Sequence, residues 1–257
     1  MIDELTDDRL LGGRLRFCQP AHGYRVAIDP VLLAAAVPAA AGEQILDAGA
    51  GTGAAGLCLA VRVAGCRVVG LELQRSLQQI ARLNVEQNGL DERVEVLVGD
   101  LVRPPPRLTW GSFHHVMTNP PHLVAQAATA PAGARAIAHV EGEVELSAWL
   151  RACVQMLRPG GTLTLIHRAE RVGEIVAGLT GAMGDLAVFP LWPGDARRPA
   201  KRVLVQGRKG SRAPLRLMRG LVLHEAGGRF STVAEAVLRH GRALELGGER
   251  AGGPADG

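Results

Sequence analysis

The sequence predicts an α/β fold, a mostly parallel sheet with helices on both faces. Three observations carry this. From Gln44 onward, short apolar strands alternate with helical runs, and such alternation needs crossovers that lay helices over both faces. The first strand runs into a glycine-rich turn, Gly49-Ala-Gly51-Thr-Gly53, that opens a helix. Successive strands then end on or beside Glu72, Asp100 and Asn119. Polar groups therefore gather on the rim where parallel strands present ligand-binding residues.

The elements follow in order. Residues 1–40 read as an N-terminal extension packing near the cofactor site. Within it Gln19–Tyr24 is a loop, and Pro30 opens a short helix with Asp29 as its N-cap. Residues 41–245 form the main domain. Ile45–Ala48 is a buried strand, Gly53–Val63 a helix and Arg67–Glu72 a second strand. Ser76–Gln87 has helical spacing, and Asn88-Gly89 ends it. Val94–Val98 is the third strand and His114–Thr118 the fourth. Val144–Leu157 is a helix closed by Pro159-Gly160-Gly161, and Thr162–Ile166 is the fifth strand. Leu186–Leu191 and Arg202–Gln206 have almost no room between them for a crossover helix. They are expected to pair as a hairpin, giving an antiparallel strand at the end of an otherwise parallel sheet. Leu215–Leu223 offers a further strand and Thr232–Leu238 a short helix. Residues 246–257 have the composition of a disordered tail. The Ala-rich segment 122–142 is long for a connection and is expected to act as a lid.

Composition narrows the class. Of 257 residues, 47% are hydrophobic, enough for a sizeable core, while aromatics make up only 3%. Each aromatic is therefore either core or a candidate for stacking on a base. The four cysteines form no C-x-x-C pair and read as small hydrophobes in a reduced compartment. No metal site is expected. The acidic N-terminus lacks a signal-peptide pattern and no apolar run reaches membrane-span length, so a cytoplasmic monomer without membrane association is expected. The net charge of +4 is concentrated in one stretch: residues 196–219 hold nine Lys or Arg and no Asp or Glu. Arg197, Arg198, Lys201, Arg202, Arg208 and Lys209 are its candidate contacts to a phosphate backbone, against the plainer reading of a solvated basic surface.

Two motifs carry chemistry. In the first, glycines let the chain turn tightly and let a ligand approach the main chain. Glu72, 23 residues after Gly49, can accept both hydroxyls of a ribose, and Asp100 is placed for an adenine edge. The spacing is not the G-x-G-x-x-G of dinucleotide sites and Asp47 directly precedes the loop, which favours a methyl-donor nucleoside over a dinucleotide. The second motif is Asn119-Pro120-Pro121-His122 at the end of the fourth strand. Adjacent prolines stiffen the turn. The Asn119 side-chain oxygen and the Pro120 carbonyl are then two fixed acceptors for the two hydrogens of an amine. Catalysis would come from alignment and electrostatic preorganisation. His122 has two open readings, a flat face for base stacking or an ordinary loop histidine.

The ordered set of Leu46-Asp-Ala-Gly-Ala-Gly-Thr-Gly, Glu72, Asp100, Asn-Pro-Pro and Arg158-Pro-Gly-Gly resembles class I S-adenosylmethionine-dependent methyltransferases that methylate nitrogen. Tyr24-Arg-Val-Ala-Ile-Asp29-Pro, Ala134-Arg-Ala-Ile-Ala-His139-Val-Glu141 and Lys201-Arg-Val-Leu-Val-Gln resemble the bacterial tRNA1(Val) adenine N6-methyltransferase family. That resemblance spans residues 10–245. It implies a Rossmann-like fold with a seven-stranded sheet containing one inserted antiparallel strand. It implies S-adenosyl-L-methionine as cofactor, lined by Asp47, Gly49, Gly51 and Gly53. Glu72 would hold the ribose, Asp100 and the Leu101 amide the adenine, with Asp29, Leu73 and Asn119 completing the cofactor set. Asn119, Pro120, Pro121 and His122 would form the catalytic turn, and a tRNA adenosine beside the anticodon would be methylated. The family turn usually ends in Tyr or Phe where this chain has His122. A protein glutamine N-methyltransferase, another rRNA or small-molecule amine methyltransferase, and a non-catalytic cofactor- or RNA-binding protein remain as alternatives.

Overall fold

The computed structural model describes residues 4–22, 25–120, 146–194 and 197–246. The anticipated lid, residues 122–142, and the C-terminal tail from residue 247 lie outside them.

The chain opens with a β-hairpin that sequence reading did not foresee: β1 (Leu5–Leu10) and β2 (Leu15–Pro20) pair antiparallel from Leu5–Pro20 to Leu10–Leu15. Helix α1 (Asp29–Ala36) follows, then the alternating series β3 (Gln44–Ala48), α2 (Ala54–Arg62), β4 (Arg67–Glu72), α3 (Arg75–Glu86), β5 (Val94–Val98) and β6 (Phe113–Thr118). After a helix over residues 146–156, α4, come β7 (Leu157–Arg168), α5 (Val172–Leu179), β8 (Met183–Trp192) and β9 (Arg202–Lys209). Two-residue strands β10 (Arg216–Leu217) and β11 (Leu221–Val222) and helix α6 (Thr232–His240) end the described chain.

The main sheet has the order β10-β8-β9-β7-β6-β3-β4-β5, with β11 also pairing β8. Seven long strands form it, as expected, and β10 and β11 add two short parallel pairings along β8. Only β9 runs antiparallel, to β7 on one side and β8 on the other. It lies inside the sheet rather than at its end: the α5 crossover carries β8 two strand-widths beyond β7, and β9 folds back into the gap. This Rossmann-like arrangement leaves β5 as one edge.

Side-chain alternation serves both layers. On β9, Val203 and Val205 join the layer under α4 and α5 with Leu150, Met156 and Ile175, while Leu204 points to the opposite layer with Leu33, Leu57 and Ala81. Period-2 alternation on a strand covered on both faces gives a continuous apolar run, which is how these strands read in sequence.

Three local expectations change. Asp29 is the first residue of α1 rather than its cap; Ile28 holds the N-cap position without a side-chain hydrogen bond. Pro159-Gly160-Gly161 does not separate helix from strand. It lies within β7, where the register against β6 shifts between Phe113–Leu157 and His115–Thr162, so the segment is absorbed as a bulge. The single strand anticipated at Leu215–Leu223 is two strands, broken at Gly220, whose φ is +82° and where a Cβ would lie 2.1 Å from the Pro190 carbonyl oxygen.

Candidate active site

A cavity of about 880 Å³ opens over the carboxyl ends of β3, β4 and β6. Its floor is the glycine turn. Gly49, Gly51 and Gly53 all have left-handed φ, +75°, +56° and +87°, the region where only glycine is unstrained. The Gly49 and Ala50 amides donate to the Leu71 carbonyl at 2.9 and 3.0 Å, pinning the turn to β4.

Glu72 links two loops. Its Oε2 accepts the Gly51 amide and its Oε1 the Gln74 amide, both at 2.8 Å. The side chain is buried and lines the cavity, with lone pairs left on each oxygen for further donors. Beside it, Leu73 is 68% exposed, an apolar group held at the cavity mouth. Asp100 and the buried Leu101 line the same side, and Asp100 Oδ1 accepts the Val102 amide at 2.9 Å.

Asp47 sits beneath the turn, 2% exposed, its Oδ2 accepting the Gly56 amide from the first turn of α2 at 2.9 Å. Burial pushes its carboxyl up to about 7; the Gly56 hydrogen bond opposes this and the Glu72 charge adds to it.

Across the cavity, Asn119 follows β6. Its Oδ1 is buried without a hydrogen-bond partner, and Asn119 and Pro120 both line the cavity. A buried amide oxygen without a partner is costly, and its place in the cavity lining leaves it able to accept from a ligand donor. Pro121 and His122 lie outside the described residues.

Two members of the expected cofactor set do not reach the cavity lining. Asp29 Oδ2 instead accepts from Arg202 Nε at 2.8 Å, tying α1 to β9. Gly53 is a packing glycine: a Cβ there would lie 3.3 Å from the Ala81 Cβ on α3.

Trp149 is a cavity residue that sequence reasoning passed over. Its indole N–H donates to Thr118 Oγ1 at 3.0 Å, and that hydroxyl donates to the Ala48 carbonyl at 2.8 Å. The available signal was scarcity, since Trp149 is one of three tryptophans and lies on a predicted helix. Pro20, His22 and Val26 form the wall nearest the N-terminal hairpin; sequence reading places residues 1–40 near this site but singles out none of the three.

The basic stretch is not one surface. Lys201 and Arg202 lie at the cavity end of β9, where Arg202 pairs in register with Arg168. Arg208 and Lys209 lie at the other end, about 20 Å away at 3.3 Å per residue. There Arg208 donates to the Gly160 carbonyl and Lys209 to the Leu157 carbonyl. Four of the six candidate residues, close in sequence, are thus divided between opposite rims.

Among the described residues, no helix is long and apolar enough to cross a membrane and no cluster of three His, Cys, Asp or Glu could hold a metal. The residues present fit S-adenosylmethionine: Glu72 offers acceptors for hydroxyls, Leu73 an apolar face, and the glycine turn open main chain.

A family model described as Methyltransferase small domain matches residues 25–188. Proteins named tRNA1(Val) (adenine(37)-N6)-methyltransferase are similar to this chain. That of Aeromonas hydrophila is 30% identical over 219 residues, covering 80% of this chain and 85% of its own length. That of Shewanella halifaxensis is 30% identical over 217 residues, 84% of each chain. The match to the Tolumonas auensis protein, also 30% identical, spans 65% of that protein. A solved structure of a predicted O-methyltransferase from Agrobacterium tumefaciens superposes with a TM-score of 0.70 at 30% identity, covering 84% of this chain and 97% of that one.

Proposed function

The chain belongs to the methyltransferase small domain family, and from that premise we propose that it methylates the exocyclic N6 amine of an adenine in tRNA, beside the anticodon. It is an S-adenosylmethionine-dependent methyltransferase, and the bound cofactor supplies an electrophilic methyl group on a sulfonium. The observation that carries the acceptor assignment is the unpartnered, buried Oδ1 of Asn119, in one cavity with Glu72. An amine brings two N–H donors. Asn119 Oδ1 accepts one and the Pro120 carbonyl the other, which turns the nitrogen lone pair toward the methyl group. Both acceptors favour the positive charge that develops on nitrogen during attack. The proton leaves afterwards, so no strong base is needed. A hydroxyl acceptor would need one, whereas a glutamine carboxamide brings the same two N–H donors and is separated from adenine by the labelling test below. The adenine must leave its stack to reach Asn119, and the relatives' names support tRNA as its source.

The test is labelled methyl transfer from S-adenosylmethionine into total tRNA and, separately, total protein, followed by nucleoside analysis. N6-methyladenosine in the tRNA fraction is expected. Label confined to protein, or appearing in another nucleoside, would overturn the assignment.

A further inference from the structure

The cavity is electrically divided. Asp47, Glu72 and Asp100 line it from the ends of β3, β4 and β5, whereas Arg168, at the end of β7, is the one Lys or Arg in its lining among the described residues. Acids on one side suit a cationic donor with hydroxyls. A lone guanidinium on the other, beside Asn119 and Pro120, suits an anion attached to the acceptor. Arg168 is weakly engaged within the chain: its Nη1 lies 3.4 Å from Glu170 Oε1, a side chain 70% exposed to water. An ion pair of that exposure adds little, so most of the five guanidinium donors remain for a ligand.

Lys201 stands next to it. The Lys201 carbonyl accepts the Ala169 amide at 3.2 Å, and Lys201 itself is exposed. The neighbouring Arg202 is neutralised by Asp29 at 2.8 Å, which leaves Arg168 and Lys201 as adjacent positive groups at the mouth.

We propose that Arg168, with Lys201 beside it, grips a backbone phosphate of the RNA next to the extruded acceptor base. The contact positions the nucleotide and carries no base identity. A planar guanidinium can bind a phosphate through two parallel hydrogen bonds. Arg208 and Lys209, though part of the same basic run, take no part, because they occupy the far rim.

This rests on the RNA reading above, and one experiment separates the two. Steady-state methylation of total tRNA is measured for wild type, Arg168→Ala, Arg168→Lys, Lys201→Ala and Arg208→Ala across a range of salt, with S-adenosylmethionine affinity measured in parallel. Arg168→Ala is expected to raise KM for tRNA roughly ten-fold with a smaller change in kcat, and to lower the slope of log affinity against log salt by about one. Lys201→Ala should do the same to a lesser degree, Arg168→Lys should recover part of the loss, and Arg208→Ala should match wild type. Cofactor affinity should hold in all of them. If Arg168→Ala keeps the wild-type KM and salt slope, or Arg208→Ala matches its defect, the phosphate contact is overturned while the RNA reading stands. If wild type neither binds nor methylates tRNA, both fall.

Discussion

The Trp149 indole packs directly over Gly49: a Cβ built on Gly49 would lie 3.0 Å from the indole Cζ2. This contact joins α4 to the glycine turn at the floor of the cavity. Gly49→Ala is expected to destabilise the fold by about 1–2 kcal/mol through its positive φ alone, and to weaken S-adenosylmethionine binding. Adding Trp149→Ala should relieve the steric part and leave the backbone part. Thermal melts and equilibrium cofactor binding check this; a Gly49→Ala protein as stable as wild type would contradict it.

Asn119→Ala should reduce kcat by about 10²–10³, the range seen when one aligned polar group is removed from a reacting centre. Cofactor affinity should stay near wild type. An active Asn119→Ala enzyme would take the carboxamide out of the mechanism, and a large loss of cofactor affinity would place Asn119 against the cofactor instead.

Glu72→Gln should behave almost as badly as Glu72→Ala. Both carboxylate oxygens accept main-chain amides, and a carboxamide would point its NH₂ at one of these donors. The expected result is weaker cofactor binding and a stability loss of about 1–3 kcal/mol. A Gln variant with wild-type affinity would show that the charge and the two-loop bridge are both dispensable.

Asp47 sets a pH dependence of stability. Its folded pKa, about 7, lies above the ordinary 3.8 because burial disfavours the charged form. Between those values the folded chain binds more protons than the unfolded chain, so this group's contribution to stability falls as pH rises through that window. Asp47→Asn removes the effect. Its melting temperature relative to wild type should climb from about pH 4 to about pH 7 and level off above. A difference independent of pH would contradict the buried, uphill carboxylate.

Asp29→Ala should lower the melting temperature modestly, by the loss of a partly buried ion pair worth about 1 kcal/mol. Cofactor affinity should change little, because Asp29 is turned to Arg202. A strong cofactor defect would return Asp29 to the binding set.

Much of the cavity lining was legible because it is local. Asp47 and Glu72 lie at the ends of β3 and β4, Gly49 and Gly51 lie in the turn after β3, and the residue types that line the cavity also mark those ends. Gly53 shared the motif yet serves packing, a distinction set by Ala81 on another helix. Asp29 looked like a cap because Pro30 follows it; its partner, Arg202, is 173 positions away. Trp149 could not be placed from helical spacing alone, since its role depends on the chain crossing from α4 back to the turn after β3.

The sequence by itself determined the alternation of strand and helix, the hairpin of β8 and β9, the glycine turn and the place of Asn119 at the end of β6. Those follow from periodicity and chain stereochemistry within short windows. Only the tertiary structure decided that β9 slots between β7 and β8, that the basic run is divided between two rims, and that Arg168 lines one cavity with Asn119 and Glu72. An extended strand carries neighbours in sequence about 3.3 Å apart per residue. A charge cluster on paper can therefore become two distant surfaces, while residues far apart in sequence meet wherever sheet register brings them together.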